Sequence, residues 1–412
     1  MFGNVVFSAS NWAIVVVLAK LGSTEMVGLY ALGMAIAQPV IALVRLELRA
    51  VQVTDVKAQF RFRSYLTLRI LGLVVGNLLI LGLILTSSNN KDATYVTLLV
   101  SLIASLDAVS DIFHGSLQRQ EKMDRIAVAL TMKGVLSLVF LWLGLWAFGN
   151  LELALVAVIV ARILILSTYE SFSVSWKTMT LGKTSENEAS TASAGRDDRW
   201  ALPKLAWLAL PVGLVVMLNS YAANIPRYFV VEYFGERELG IFAANSSLVM
   251  MGRLVFGALG QSASPRLARY YAAGNLPAFR SLVAKLMGLG ALIGTFALVA
   301  GMLFGKIVLG LVYRPEYAEK IDVFLFLLLA ETFYYVAVAL GVGMTASRHF
   351  KLQVPLSLVS VMLTVLFSYA LIPTFGVVGA ALTIVATMAT VLAAHLIAFP
   401  IVLRSAPLVS VN

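Results

Sequence analysis

Twelve stretches of this chain are each apolar over about the length of a membrane span, and that repetition leaves few folds open to it. They run near 3–21, 26–46, 65–86, 94–114, 126–148, 151–172, 203–224, 239–260, 282–304, 321–343, 353–373 and 376–403. About 20 apolar residues in a helix cross a hydrocarbon core of about 30 Å. Lipid offers no water to unpaired backbone groups, so a crossing segment is either a helix or part of a closed barrel. Barrel strands are about 9–11 residues long and alternate in polarity, whereas these runs are continuous and twice too long. The expected fold is all-α, a polytopic membrane protein with 12 transmembrane helices. With 60% hydrophobic and 13% charged residues and a mean hydropathy of +0.90, the chain has more apolar surface than a soluble domain could hide.

The charges sort by loop. Of 31 Lys and Arg, 21 lie in or beside alternate loops, from Arg45, Arg49, Lys57, Arg61, Arg63 and Arg69 to Lys285, Arg348, Lys351 and Arg404. Seven lie on the opposite side, and three (Lys133, Arg162 and Arg253) fall well inside spans. The positive-inside rule makes the basic side cytoplasmic, with both termini inside. The net charge of +10 is then topological, drawn to anionic headgroups, and implies no nucleic-acid partner. No cleavable signal with a charged flank opens the chain. The absence of cysteine excludes disulfides, thiolate metal sites and Cys nucleophiles.

A polar gap from Ser173 to Leu202, rich in Ser and Thr, separates six spans from six. It reads as a cytoplasmic linker (173–202) between an N-terminal six-helix lobe (1–172) and a C-terminal six-helix lobe (203–412). The halves share a turn pattern. Leu21-Gly-Ser-Thr-Glu-Met-Val-Gly-Leu-Tyr-Ala follows the first span, and Phe234-Gly-Glu-Arg-Glu-Leu-Gly-Ile-Phe-Ala follows the seventh. Phe148-Gly149 and Phe375-Gly-Val-Val-Gly379 are similar. Glycine supplies the positive φ of a tight helix–helix turn and lets helices approach closely. Convergent tight turns explain the pattern, and so do parallel six-span repeats, a transporter plan with the substrate between the halves.

The order of motifs carries a resemblance. The opening hairpin has Trp12, Leu18-Ala-Lys-Leu-Gly, Val27-Gly-Leu-Tyr-Ala-Leu and Gln38-Pro39; Leu48-Arg-Ala-Val-Gln-Val-Thr-Asp55 and Phe60-Arg-Phe-Arg-Ser-Tyr follow. Further on come Gly115-Ser-Leu-Gln-Arg-Gln-Glu-Lys-Met, Pro265-Arg-Leu-Ala-Arg-Tyr-Tyr-Ala-Ala-Gly and Ser347-Arg-His-Phe-Lys-Leu-Gln. Over essentially its whole length the chain resembles the Wzx-type polysaccharide (O-antigen) flippases of the multidrug/oligosaccharidyl-lipid/polysaccharide (MOP) exporter superfamily. The resemblance implies a MATE/MOP-like pair of six-helix lobes around a polar cavity in the bacterial cytoplasmic membrane. It also implies a substrate: an undecaprenyl-diphosphate-linked oligosaccharide, flipped for O-antigen, capsule or exopolysaccharide synthesis by alternating access coupled to an ion, a proton or sodium. A polysaccharide polymerase and glycosyltransferases are the implied partners.

A diphosphate and a sugar chain need a wet, cationic route, and Arg suits phosphate because its fork donates bidentately and stays charged. A charge at the bilayer centre costs roughly 2.5–3.5 kcal/mol on insertion scales, so it requires a partner or a cavity. Arg253, in span eight among Ser246, Ser247, Gly252 and Gly257, lines a cavity or snorkels to headgroups. Arg45 and Arg49, four apart on one helical face, hold the lipid diphosphate or anchor the inner end of span two. Arg162, in mid-span six, cannot easily snorkel and pairs with Asp107 or joins Lys133 in the cationic route; Lys133 also reads as a snorkelling anchor. Asp107 and Asp111 share a face of span four and are candidates for ion coupling or gating. Glu331, near the midplane of span ten beside Tyr334 and Tyr335, has no basic residue near it in sequence. It reads as a coupling carboxylate, a substrate hydrogen-bonding group or a buried structural one. Asn219, Tyr221 and Asn224 make span seven a glycan-facing helix, with Pro226 breaking its outer end, or a kinked helix that satisfies its own backbone.

No phosphate loop occurs, so the chain is not expected to hydrolyse ATP. His114, His349 and His395 lack metal-ligand spacing. No outer loop is long enough to hold a catalytic domain, so neither an enzyme nor a cofactor or metal site is expected. The alternative is a multidrug or small-molecule antiporter on the same fold. Such pockets for organic cations favour acidic and aromatic groups, and here in-span cations outnumber carboxylates.

Overall fold

The computed structural model describes residues 2–55, 59–87, 90–173, 201–347 and 350–404. Every regular element among them is helical. In chain order these are α1 (Phe2–Leu21), α2 (Thr24–Arg45), α3 (Leu48–Thr54), α4 (Phe62–Ser87), α5 (Lys91–Arg119), α6 (Met123–Phe148) and α7 (Leu151–Ile165). A π-helical turn, Leu166–Glu170, carries α7 on into Ser171–Ser173. After it come α8 (Ala201–Ala272), α9 (Leu276–Val312), α10 (Pro315–Ala318), α11 (Ile321–Ala346) and α12 (Phe350–Arg404). Asn90, Asn150 and Asn275 cap α5, α7 and α9, their side-chain oxygens accepting first-turn N–H groups that have no partner inside the helix.

Among the described residues ten helices are long and apolar enough to cross a membrane. Two of them exceed one crossing. The 72 residues of α8 would span about 108 Å unbroken, but Gly235 interrupts them at φ 78°, and Gly376 interrupts the 55 residues of α12 at φ 64°. Each is two limbs folded at a glycine that tolerates the left-handed region, which is consistent with twelve crossings. The expected break at Pro226 does not occur: the first limb of α8 runs through it to Gly235, since neighbouring groups in a membrane helix re-satisfy the backbone that a proline frees.

Many large apolar side chains stay exposed, among them Phe296, Leu311 and Ile397. In water such surface would drive aggregation; in lipid it is the expected outer face. The protein is an all-α multi-pass membrane protein.

Packing divides the chain into two compact units. One holds Met1–Val17 with Leu32–Tyr221, the other Leu18–Ala31 with Ala222–Asn412. The dividing lines fall inside α1, α2 and α8. Residues 174–200, most of the linker read from sequence, lie outside the described residues, as do Lys57, Arg348 and His349.

In the first unit, Leu205 and Ala209 of α8 are buried in a cluster with Leu46, Leu48, Tyr65 and Ile112. In the second, Phe256, Leu267, Tyr271, Phe279, Tyr335, Met344 and Val402 form the core, with the Tyr271 hydroxyl donating to the Val402 carbonyl at 3.0 Å. The same unit contains the two turns that the sequence pairs, and they interlock. A Cβ on Gly28 would overlap the Glu236 carbonyl, and one on Gly240 would overlap that of Thr24. Here glycine serves close backbone approach. Arg314 Nη2 donates to the Lys20 carbonyl at 2.6 Å, tying the first turn to the α9–α10 corner.

Candidate functional site

In the second unit the cation and the carboxylate that the sequence leaves apart meet. Arg253, on the second limb of α8, donates from Nε to both oxygens of Glu331 on α11 at 2.9 Å, and from Nη2 to Oε1 at 2.5 Å. Its guanidinium carbon lies 4.2 Å from the ring centroid of Tyr334, near enough for the ring's negative face to stabilise the charge. The Glu331 side chain is 6% exposed and that of Arg253 29%. A buried carboxylate thus anchors a cation that is itself part-exposed. Gly252 leaves room for the hydroxyl of Tyr335, whose ring stacks on Phe256 at 5.1 Å.

In the first unit, one face of α5 carries Asp107, Asp111, His114 and Gln118, spaced four, three and four residues apart, so they form a stripe. Its two ends bind different partners. Toward the C-terminal end, Arg45 pairs with Asp111 Oδ2, and Arg49 Nη1 lies 3.4 Å from Oδ1. Arg49 also donates from Nε and Nη2 to Gln118 Oε1 at 3.2 and 3.0 Å. These two arginines do not share a helical face as expected. Helix α2 ends at Arg45, and Leu46 and Glu47 adopt φ of 52° and 46° before α3 begins. Two consecutive left-handed residues without glycine are strained; they turn the chain so that both guanidiniums reach one carboxylate. Arg69, placed beside a loop by the sequence, is fully buried. It donates to the Arg45 carbonyl at 2.6 Å, and its Nε and Nη2 have no partner among the described residues.

Toward the N-terminal end, Arg162 Nη1 of α7 lies 2.8 Å from Asp107 Oδ1. Its guanidinium carbon sits 5.2 Å from the ring centroid of Phe7. Lys133 of α6 does not snorkel: its side chain is 2% exposed, with Nζ 3.5 Å from Asp107 Oδ1 and 3.2 Å from Glu170 Oε1. His114 Nε2 meets the same Glu170 oxygen at 3.0 Å.

Glu170 is not among the residues expected from the sequence, and His114 lacks metal-ligand spacing there. The stripe on α5 would have flagged His114. Nothing would have flagged Glu170, because the π-helical turn shifts residues 166–170 off the ordinary helical face. On α8, Asn219 and Tyr221 are exposed, whereas Asn224 is buried and accepts from Arg227 Nη1 at 3.1 Å. At 3.6 residues per turn Asn219 points well away from Asn224, so the three do not form one glycan-facing row. Among the described residues no cluster of three or more His, Asp or Glu could hold a metal ion.

The fold matches that of a multidrug resistance MATE family transporter of the MOP superfamily in an inward-facing conformation, with a TM-score of 0.69 and 13% identity over 97% of this chain and 95% of that one. It also matches the lipid II flippase MurJ in an inward closed conformation, with a TM-score of 0.71 and 10% identity over 96% and 86% of the two chains. The chain has the fold of the MOP superfamily transporters. In sequence it is 25% identical over 399 residues to the capsular polysaccharide biosynthesis protein CapF of Staphylococcus aureus, spanning 92% of each protein. No protein-family profile matches it. The resemblance to polysaccharide flippases read from the sequence is upheld by this relative and by the MOP fold.

Proposed function

We propose that this protein, with six-helix lobes at 1–172 and 203–412, flips an undecaprenyl-diphosphate-linked oligosaccharide across the bacterial cytoplasmic membrane for surface polysaccharide synthesis, by ion-coupled alternating access. The observation that carries this reading is Arg253: a guanidinium inside a span, part-exposed, and fixed in direction by the buried carboxylate of Glu331. Such a group can meet a diphosphate bidentately without first paying to order a long side chain. Arg45 and Arg49, also part-exposed, offer a second cationic surface. Arg162 and Lys133, at most 3% exposed and already paired, act from within the protein rather than by touching the lipid. Both termini lie in the cytoplasm on this reading, and the glycan is supplied by glycosyltransferases and consumed by a polymerase.

A multidrug antiporter on this fold would need a free carboxylate for an organic cation. Glu331, Asp107 and Asp111 each face a guanidinium instead, which favours the anionic substrate. Deleting the gene tests the proposal directly. Lipid-linked repeat units should accumulate in the inner leaflet and the surface glycan should disappear; a normal coat would refute the reading.

A further inference from the structure

The first unit contains an unbroken chain of ionisable groups that binding of a lipid diphosphate does not use. It runs from Arg162 to Asp107, Lys133, Glu170 and His114, with successive contacts of 2.8, 3.5, 3.2 and 3.0 Å. Four helical segments contribute: α5 gives Asp107 and His114, α6 gives Lys133, α7 gives Arg162, and the π-helical turn gives Glu170. Phe7 of α1 covers Arg162. Only Asp107 is part-exposed, at 34% of its side chain; the other four lie between 0% and 3%.

Two features give the chain a direction and an ion. With His114 neutral, two carboxylates face two cations and the network has no net charge. One further proton, shared between the His114 imidazole and Glu170, takes it to a single positive charge. There is a place for that proton. Glu170 Oε2 is buried with no hydrogen-bond partner among the described residues, and the Ser110 hydroxyl is given to the Leu106 carbonyl at 3.1 Å. The second feature is Lys133. Its ammonium bridges oxygens of Asp107 and Glu170, the position between two carboxylates that a bound alkali cation would take.

We propose that the His114–Glu170–Lys133–Asp107 chain carries the coupling proton, which exchanges with water at Asp107, and that Lys133 is a tethered cation that bars sodium from the same place. This deepens the transport reading above and rests on it. The π-helical turn is then functional, because it is what delivers Glu170 to the His114 ring.

The test uses the full-length protein in vesicles with a fluorescent undecaprenyl diphosphate monosaccharide, under a proton gradient, a sodium gradient or none, alongside direct binding of radioactive sodium. The proton gradient should speed wild-type flipping about tenfold, and the sodium gradient should leave it unchanged. E170Q and H114N should lose the proton response yet retain gradient-free binding of the labelled lipid. K133M should acquire sodium binding; if it does not fold, K133M/E170Q, which removes a cation and a carboxylate together, should bind no sodium, and the wild-type arms still decide. Sodium bound by the wild type, or a full proton response in E170Q and H114N, would overturn the proposal. Absence of flipping in every arm would count against the transport reading. Even then, a wild type that takes up a proton at His114 by histidine NMR and excludes sodium would uphold the site.

Discussion

Arg253 and Glu331, 78 residues apart, form a two-pronged ion pair in which the carboxylate is buried and the guanidinium is not. The asymmetry gives the partners different duties. Loss of Glu331 strands a cation inside the protein, while loss of Arg253 leaves a carboxylate that can neutralise by taking a proton.

For this pair E331A should therefore destabilise more than R253A. Breaking a fully buried pair costs about 3–5 kcal/mol, and the part-exposure of Arg253 brings the expectation for E331A down to about 1–3 kcal/mol. The double variant should recover part of the loss. Thermal unfolding of all four proteins in one detergent gives the cycle; strictly additive losses would mean the pair is not coupled.

Function should separate from stability at Arg253. R253K keeps the charge but loses the fork, so affinity for an undecaprenyl diphosphate lipid should fall about tenfold while the melting temperature changes little. Equal affinities in lysine and wild-type proteins would remove bidentate contact from the account.

Asp111 restrains Arg45 and Arg49, both part-exposed. D111N should cost under about 1 kcal/mol of stability and should raise affinity for vesicles containing an anionic phospholipid, as two guanidiniums are released. Flotation at low and high salt measures this; an unchanged affinity would mean the arginines are held by Gln118 and the strained turn alone.

Gly235 and Gly28 should fail for different reasons. G235A forces a residue with a Cβ to φ 78°, at a cost of about 1–2 kcal/mol. G28V drives a side chain into the Glu236 backbone, where neither partner can yield, so it should abolish folding rather than lower its temperature. Yield of monodisperse protein after extraction distinguishes the two.

Much of the fold is legible in the sequence, because lipid imposes one length and one polarity on every crossing. The bends at Gly149, Gly235 and Gly376 are glycines in a left-handed conformation at the expected turns. The first turn differs: Gly22 does not adopt positive φ and instead lies tight against the Leu18 carbonyl and Met26. The site is less legible. Asp107 with Arg162 is the pair expected from sequence, but Arg253 with Glu331 is not, since nothing local to either residue signals the other. Arg45 and Arg49 converge for a reason that helical spacing cannot supply, a two-residue reversal at Leu46 and Glu47. Glu170 reaches the network through a helix of different pitch, which hydrophobic periodicity does not encode.

The compact units are not contiguous along the chain, and this has a practical side. Residues 18–31 are grouped with the second unit and 201–221 with the first. A chimaera joined once at the central gap would hand each unit a foreign piece of its own interior. Exchanging whole units between relatives requires three crossovers, near residues 17, 31 and 221. Recombination at those three points, rather than at the gap that the sequence offers most readily, is the way to transplant one unit with its packing intact.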